Sequence, residues 1–375
     1  MNLLFSGLFI YPGKVGGAEN FFINLAKGFR DLPAADHVTL LLQEQFRDYF
    51  EAQYPQLDKQ YVKVPFNRGI YEMISPLVLE SVRKAEAVFY PNYVTGFNFG
   101  RRRKFFTTLH DLQYLHYPEF FSAPKRQWLR LAHLHSLYHA RKVVCISEFV
   151  KNDVLERYGA RYADRVTAIH NPIDFERFEL YFKPDLMPPA RPFILTLAAH
   201  YPHKNILTLL KAFQIFNARN PDFQLVLVGQ TADKLIGGDY SAYHRQINEA
   251  VAQNPNISFT GYIDNQRLTD LMRTCSFFVF PSLFEGFGMP PVEAMGLGIP
   301  TITTARTSLK EVTLGQALYV GDPENPESFV EQMQFCTDNL AEQKRLFQQR
   351  APQVRAAYSP VTIAQQYQKV FHEEK

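Results

Sequence analysis

Cysteine is scarce: three copies, Cys145, Cys275 and Cys336, stand far apart beside apolar residues. Neither a disulfide framework nor a metal site has that spacing, and a reducing cytoplasm suits it. No apolar run is long enough to span a bilayer. The apolar start, MNLLFSGLFIYPGKVGG, carries no basic residue before Lys14 and reads as a strand, not a signal peptide. An excess of one charge is missing as well: 40 Lys and Arg against 37 Asp and Glu leave a net charge of +3, which argues against a nucleic-acid binder. Repeats and low-complexity tracts are absent. What remains is a chain of 375 residues, 46% hydrophobic and 21% charged, the make-up of a globular protein. Its length allows two to three domains, and two is the natural reading.

The most informative stretch is PSLFEGFGMPPVEAMG, residues 281 to 296. A buried strand over 276 to 280 runs into a glycine-broken loop and then a helix start. Gly286 and Gly288 permit close backbone approach, and Pro290 and Pro291 suit a first helical turn. The main chain from 286 to 290 therefore offers amides to a ligand, and a helix N-terminus favours an anion such as phosphate. A carboxylate would repel that phosphate, so Glu285 and Glu293 suit hydroxyl groups instead. Phosphate plus hydroxyls describes a sugar nucleotide. Taken alone, the two glutamates also suit an ordinary helix and a loop surface.

The longer stretch EGFGMPPVEAMGLGIPTI resembles the signature of the family-four glycosyltransferases, the retaining GT-B group. The resemblance implies an α/β chain of two Rossmann-like doubly wound domains facing an interdomain cleft. It implies that Glu293 binds the donor's ribose hydroxyls, that Glu285 lies by the transferred sugar as a catalytic residue, and that Gly286, Phe287, Gly288 and Met289 hold sugar hydroxyls and phosphate.

In chain order, residues 2 to 10 form an unbroken apolar strand, followed by a loop with Gly13, Gly16 and Gly17 and a helix with Phe21, Phe22, Leu25 and Phe29 at helical spacing. Strand, glycine loop and helix can cradle a phosphate or serve packing alone. The resemblance places Gly16 and Gly17 near the donor phosphates and the acceptor. Further strands are expected at 38–42, 61–64, 87–90, 105–108, 142–146 and 166–169, with helices near 71–85, 124–140 and 148–158. Such alternation predicts a doubly wound sheet with ligands at the strands' carboxyl ends.

His110 follows one of those strands. LHDLQYLHYPEFF resembles the family's His-Asp loop, which implies that His110 sits beside the donor sugar as a second catalytic residue, where an imidazole can orient a hydroxyl or share a proton near neutral pH. His133, His135 and His139 share a predicted helix, but no further ligand suggests zinc. From Arg101 to Lys142 nine basic residues meet two acids. Arg101, Arg102, Arg103, Lys104, Lys125, Arg126 and Arg130 read either as a solvated face or as a docking face for an anionic membrane or a lipid-pyrophosphate acceptor, with Trp128, Leu129 and Leu131 available to touch lipid.

Residues 175 to 192, rich in proline and charge, read as an interdomain linker. The expected domains are thus 1–175, acceptor-side, and 190–357, nucleotide-binding, with a last helix in 360–375 packing back on the first. In the second, a strand at 193–198 leads to AHYPHKN. Lys204 there resembles the family's donor-phosphate lysine at the start of a helix. An arginine usual five residues earlier is replaced by Ala199, and His200 or His203 is a candidate substitute. Tyr262 and Ile263 fall where the resemblance puts the nucleotide base.

The implied activity is retaining transfer of a hexose from a nucleotide-diphosphate sugar, UDP favoured and GDP-mannose an alternative. The acceptor would be a glycan or lipid-linked glycan in polysaccharide synthesis, at or near the cytoplasmic membrane. No cofactor or metal is expected, since the other large transferase architecture uses an Asp-x-Asp motif and no two aspartates here are two positions apart. A glycan phosphorylase, a sugar-nucleotide epimerase and a non-catalytic nucleotide-sugar scaffold are the alternatives.

Overall fold

The computed structural model describes residues 1–13, 16–33, 36–99, 104–181, 189–197, 201–229 and 241–373. The chain divides into two compact units, Met1–Asp174 with Ala357–Lys375, and Phe175–Ala356.

The first unit holds a seven-stranded sheet in the order β3-β2-β1-β4-β5-β6-β7. Its strands are β1 Asn2–Ser6, β2 His37–Gln43, β3 Asp58–Val62, β4 Ala87–Tyr90, β5 Lys104–Leu109, β6 Lys142–Cys145 and β7 Val166–Ala168. Every pairing is parallel; Leu4 of β1, for example, lies between Thr39 of β2 and Val88 of β4. The second unit has six parallel strands in the order β10-β9-β8-β11-β12-β13. These are β8 Phe193–Leu197, β9 Gln224–Val228, β10 Ile257–Phe259, β11 Phe277–Phe280, β12 Thr301–Thr303 and β13 Leu318–Tyr319. Both units are doubly wound and Rossmann-like, as the alternation predicts. Strand order reverses beside β1 and β4 in one unit and beside β8 and β11 in the other, and ligands of such sheets bind at the carboxyl ends there.

Sheets of this kind are covered on both faces, so their strands are unbroken apolar runs. AVFY of β4 and FFVF of β11 are buried at every residue. Over the first sheet lies the helix Gly17–Arg30, with Phe21, Phe22, Leu25 and Phe29 inside. The helix Pro360–His372 packs beside it, and Phe371 stacks on Phe29 at 5.8 Å between ring centres. Gly28 permits this, because a β-carbon there would overlap the Pro360 carbonyl.

Three expectations need correction. β1 ends at Ser6, not residue 10: Gly7 bonds back to Leu41, and Leu8, Phe9 and Ile10 stay buried in the loop that follows. The expected helix 71–85 is two, Arg68–Val78 and Glu80–Lys84, broken where Leu79 turns extended. The supposed linker begins as part of the second unit: Glu176–Leu180 is a helix with Phe178 buried, and Phe175 packs on Gly296. Residues 182–188 lie outside the described residues.

Candidate functional site

In the second unit, the loop after β11 is built from within. Phe284 and Phe287 are buried and anchor it. The Ser308 hydroxyl donates to the Glu285 and Phe287 carbonyls, both at 2.9 Å, the Glu285 amide donates to Thr307 Oγ1 at 3.1 Å, and Thr304 Oγ1 donates to the Ser282 carbonyl at 2.7 Å. Gly288 opens the helix Met289–Gly296 with φ 93, and a β-carbon there would meet Leu309 Cδ2 at 2.6 Å. The position is closed to larger residues on both counts. Pro290 and Pro291 have no N–H, so the expected row of amides narrows: at the helix terminus only Gly288 and Met289 carry one outside the helical ladder.

Lys204 lies at the end of a 3-10 turn, Pro202–Lys204, and not at the start of the helix Ile206–Arg219 as expected. One backbone bond and the Asn205 side-chain amide tie this turn to the β11 loop. Leu283 N–H donates to the His203 carbonyl at 2.8 Å, and Asn205, left-handed at φ 59, donates to the Pro281 and Pro323 carbonyls at 3.2 and 2.6 Å. Lys204 Nζ thereby reaches Glu285 Oε1 at 2.7 Å. Residues 81 apart in sequence form one ion pair at the carboxyl ends of β8 and β11.

Glu293, 5% exposed, accepts from Arg177 Nη2 at 2.6 Å. A buried carboxylate of this kind needs a cation and hydrogen bonds to offset its lost hydration. Arg177 escaped the sequence reading because it stands in the stretch taken for linker; the one signal was an arginine beside Phe178, whose ring its guanidinium covers at 4.6 Å. His203 does not replace the missing arginine: burial, helped by neighbouring Lys204, pushes its imidazole down to about 3. It stays neutral at pH 7. Ala199 and His200 lie outside the described residues. Tyr262 is 84% exposed beyond β10, and Ile263 packs on the core beneath.

In the first unit, Gly16 takes φ 54 and ψ −125, a glycine conformation, and Gly17 begins the helix. The buried Glu19 carboxylate holds the loop, accepting from the Gly13 amide at 3.0 Å and the Tyr49 hydroxyl at 3.1 Å. His110 stands at the end of β5, its Nε2 2.8 Å from the Pro91 carbonyl and its ring edge-on to Phe21. A carbonyl only accepts, so Nε2 carries the proton and Nδ1 a lone pair. Burial holds the ring's pKa below its ordinary value. His110 thus presents its Nδ1 lone pair as an acceptor.

A cavity of about 780 Å³ opens at the carboxyl ends of β1, β4 and β5, lined by His110, Glu72, Asn92, Arg68, Lys125 and Trp128 among others. Glu72 and Trp128 were not among the expected site residues. Glu72 is 1% exposed; Ser6 Oγ donates to one oxygen at 2.6 Å and Asn92 Nδ2 reaches the other at 3.4 Å. His133 and His135 bond to the carbonyls of Leu129 and Thr95, and His139 accepts from the Asn98 amide. Among the described residues no three His, Cys, Asp or Glu side chains converge on a metal position, and no helix is long and apolar enough to cross a membrane. Arg101, Arg102 and Arg103 lie outside the described residues. Lys104 opens β5, and Lys125, Arg126 and Arg130 lie on the helix Ala123–His139.

Residues 178–353 match the family model described as glycosyl transferases group 1, and residues 15–177 match glycosyltransferase family 4. The O-antigen chain mannosyltransferase RfbU of Salmonella typhimurium is 26% identical over 229 residues, 59% of this chain and 58% of that protein. The serotype-specific mannosyltransferase WbdA of Escherichia coli is 32% identical over 181 residues, 46% of this chain and 22% of that protein. The matches thus span little more than half of the first relative and about a fifth of the second. The fold is shared with sucrose-phosphate synthase from Thermosynechococcus elongatus (TM-score 0.73, 18% identity, 99% of this chain and 98% of that one). It is shared equally with Anabaena Alr3699/HepE in complex with UDP-glucose (TM-score 0.72, 19% identity, 99% of each chain).

Proposed function

The chain belongs to the group 1 glycosyltransferases of family 4, and from that premise we propose that it transfers a hexose from a nucleotide-diphosphate sugar to a hydroxyl of a glycan or lipid-linked glycan. The names of its relatives support surface-polysaccharide assembly as the setting and mannose as the first sugar to try, with UDP or GDP as the carrier.

The observation that carries the reading is the pairing of Lys204 with Glu285 where the strand order of the second unit reverses. A nucleotide diphosphate leaving group gathers negative charge as the sugar's anomeric bond breaks. Lys204 would neutralise it as its ion pair with Glu285 loosens, helped by the positive end of the helix Met289–Gly296. Glu285, freed in part from Lys204, would turn to the sugar as cationic character grows at its anomeric carbon. Glu293 keeps one oxygen on Arg177, and the other suits the ribose hydroxyls. In the first unit, Gly16 and Gly17 would approach phosphate closely, and His110 Nδ1 would accept from a sugar hydroxyl. We propose retention by same-face substitution: the bond from the anomeric carbon to the diphosphate breaks, the bond to the acceptor oxygen forms, and the departing phosphate takes the acceptor's proton. In this scheme Lys204 supplies the charge that a metal would otherwise bring.

The same family reading extends to a peripheral contact with the inner face of the cytoplasmic membrane. Exposed Leu131 and Tyr138 on the 123–139 helix, Phe99 beside it and Ile70 and Leu77 on the 68–78 helix support it, with Lys125 and Arg130 as the accompanying charge.

Thermal unfolding with UDP, GDP and ADP, without added metal, tests the donor site. A nucleotide at about 100 times its dissociation constant adds roughly 2.7 kcal/mol, enough for a clear shift. One stabilising nucleotide names the donor class. Glu285→Ala should then abolish transfer while keeping the melting transition; surviving turnover overturns the assignment, and turnover lost to phosphate or to no acceptor marks a phosphorylase or an epimerase.

A further inference from the structure

In the segment after β12, Thr307 takes a positive φ of 52. Crowding at the β-carbon makes that conformation costly for a β-branched side chain. Leu309 N–H donates to the Arg306 carbonyl at 3.0 Å, and the two residues between have φ 52 and then φ −79, ψ −13. Those are the φ signs of a type II′ turn, whose first central position is a glycine place. The other non-glycine residues with positive φ among the described residues, Asn205 and Leu314, have local reasons. Asparagine tolerates the left-handed region, and Leu314 ends the short helix Leu309–Val312, where Gly315 N–H closes back on the Lys310 carbonyl at 2.9 Å. Nothing in its own turn calls for threonine at 307.

Its side chain supplies the reason. Thr307 Oγ1 accepts the Glu285 amide at 3.1 Å, and the next residue, buried Ser308, shares its hydroxyl proton between the Glu285 and Phe287 carbonyls at 2.9 Å each. Two consecutive hydroxyls, 22 and 23 positions on in the chain, thus hold Glu285 by its N–H and by its C=O. Glycine would relax the turn and leave the amide without this acceptor. A peptide fixed on both sides leaves the carboxylate alone to move: it can part from Lys204 Nζ, 2.7 Å away, without the loop following.

We infer that Thr307 is a positioning residue for Glu285: the turn carries a strained backbone so that a hydroxyl faces the Glu285 amide, and the carboxylate stays aimed while it exchanges Lys204 for the sugar. This rests on the glycosyltransferase reading above. Backbone strain persists where the surrounding structure over-determines it, and it gathers where geometry matters more than stability. Replacing Thr307 by glycine therefore moves stability and turnover in opposite directions. A threonine that served the turn alone would move stability only.

Three variants of the full chain test this. Thr307→Gly removes strain and hydroxyl together, Thr307→Val keeps the branch and loses the hydroxyl, and Thr307→Ser keeps the hydroxyl. Release of nucleoside diphosphate from UDP-glucose and from GDP-mannose, with mannobiose as acceptor, gives kcat and KM. Amide hydrogen exchange on the peptides that cover Glu285 reads the hold on the loop without any substrate. Thr307→Gly should melt no lower than the parent and exchange the Glu285 amide about tenfold faster or more. Its kcat should fall about tenfold or more with the donor's KM within about threefold, because Glu293 and Lys204 still hold the nucleotide. Thr307→Val should lose as much kcat and melt lower, and Thr307→Ser should restore both exchange and kcat. Parental kcat or a lowered melting temperature in Thr307→Gly, an unchanged exchange rate, or a serine variant as slow as the glycine one overturns the inference. Parental turnover matched by Thr307→Gly leaves the transferase standing and this role wrong. A parent that no nucleotide stabilises and that releases none removes the transferase, and the role of Thr307 in turnover falls with it.

Discussion

Glu72 holds its proton more tightly in the folded chain than in the unfolded one, because burial disfavours the carboxylate. The unfolded carboxyl titrates near 4.5 and the folded one near 7. Between those values the native state binds more protons, so stability falls as pH rises through that window and levels off above it. At about 1.4 kcal/mol per pKa unit the loss is on the order of 3 kcal/mol. Glu72→Gln has no proton to lose. Urea unfolding should find it more stable than the parent by about 1–3 kcal/mol at pH 8 and no more stable at pH 4.5; equal differences at both would show that Glu72 is not the titrating group. Nothing in the sequence singled out this residue, since a glutamate on an amphipathic helix is ordinarily solvated. What hid it is tertiary: Ser6, the last residue of β1, and Asn92, in the loop after β4, close over it from 66 and 20 positions away. Glu285 and Glu293 stood out by contrast, because a local pattern of glycine, proline and helix start surrounds them, whereas Lys204 was expected at a helix start and lies in the 3-10 turn before it. Their partners stood out less, as Arg177 and the Lys204–Glu285 contact depend on which strands end side by side.

Among the elements, the strands were readable because a sheet covered on both faces demands unbroken apolar runs, and FFVF or AVFY admits few other fates. Ends were harder. The apolar run at the N-terminus outlasts β1 because the loop after it is buried too, and the proline-rich stretch after Asp174 hides a helix whose Phe178 seals the second unit. The helix pair Gly17–Arg30 and Pro360–His372 gives a sharper test. Gly28 faces the Pro360 backbone carbonyl, which cannot swing aside as a side chain can. Gly28→Ala should therefore cost about 1–3 kcal/mol despite alanine's better helix propensity. A melting temperature unchanged or raised in the variant would mean the two helices do not lie this close.

For the molecule as a whole, each sheet reverses its order once, and both reversals gather polar residues: Lys204 with Glu285 in one unit, His110 and Glu72 in the other. Among the described residues the first unit leaves Leu77, Phe99, Leu131 and Tyr138 each more than half exposed, and the second leaves Leu180 and Tyr262 so. Sedimentation with vesicles containing anionic lipid should carry the protein down at low salt and less so as salt rises. Leu131→Ser should weaken the binding at every salt concentration, whereas a variant that sediments like the parent would remove these side chains from the contact. The chain's route through its two units has a further effect, on the order of synthesis. The second unit is one continuous segment, Phe175–Ala356, while the first needs the helix Pro360–His372 to cover Phe5, Phe29, Phe89 and Phe106. On the ribosome the first unit to begin is therefore the last to finish: its aromatic core stays open until the final helix emerges, so a nascent chain halted before residue 360 keeps the second unit protease-resistant and the first unit cleavable.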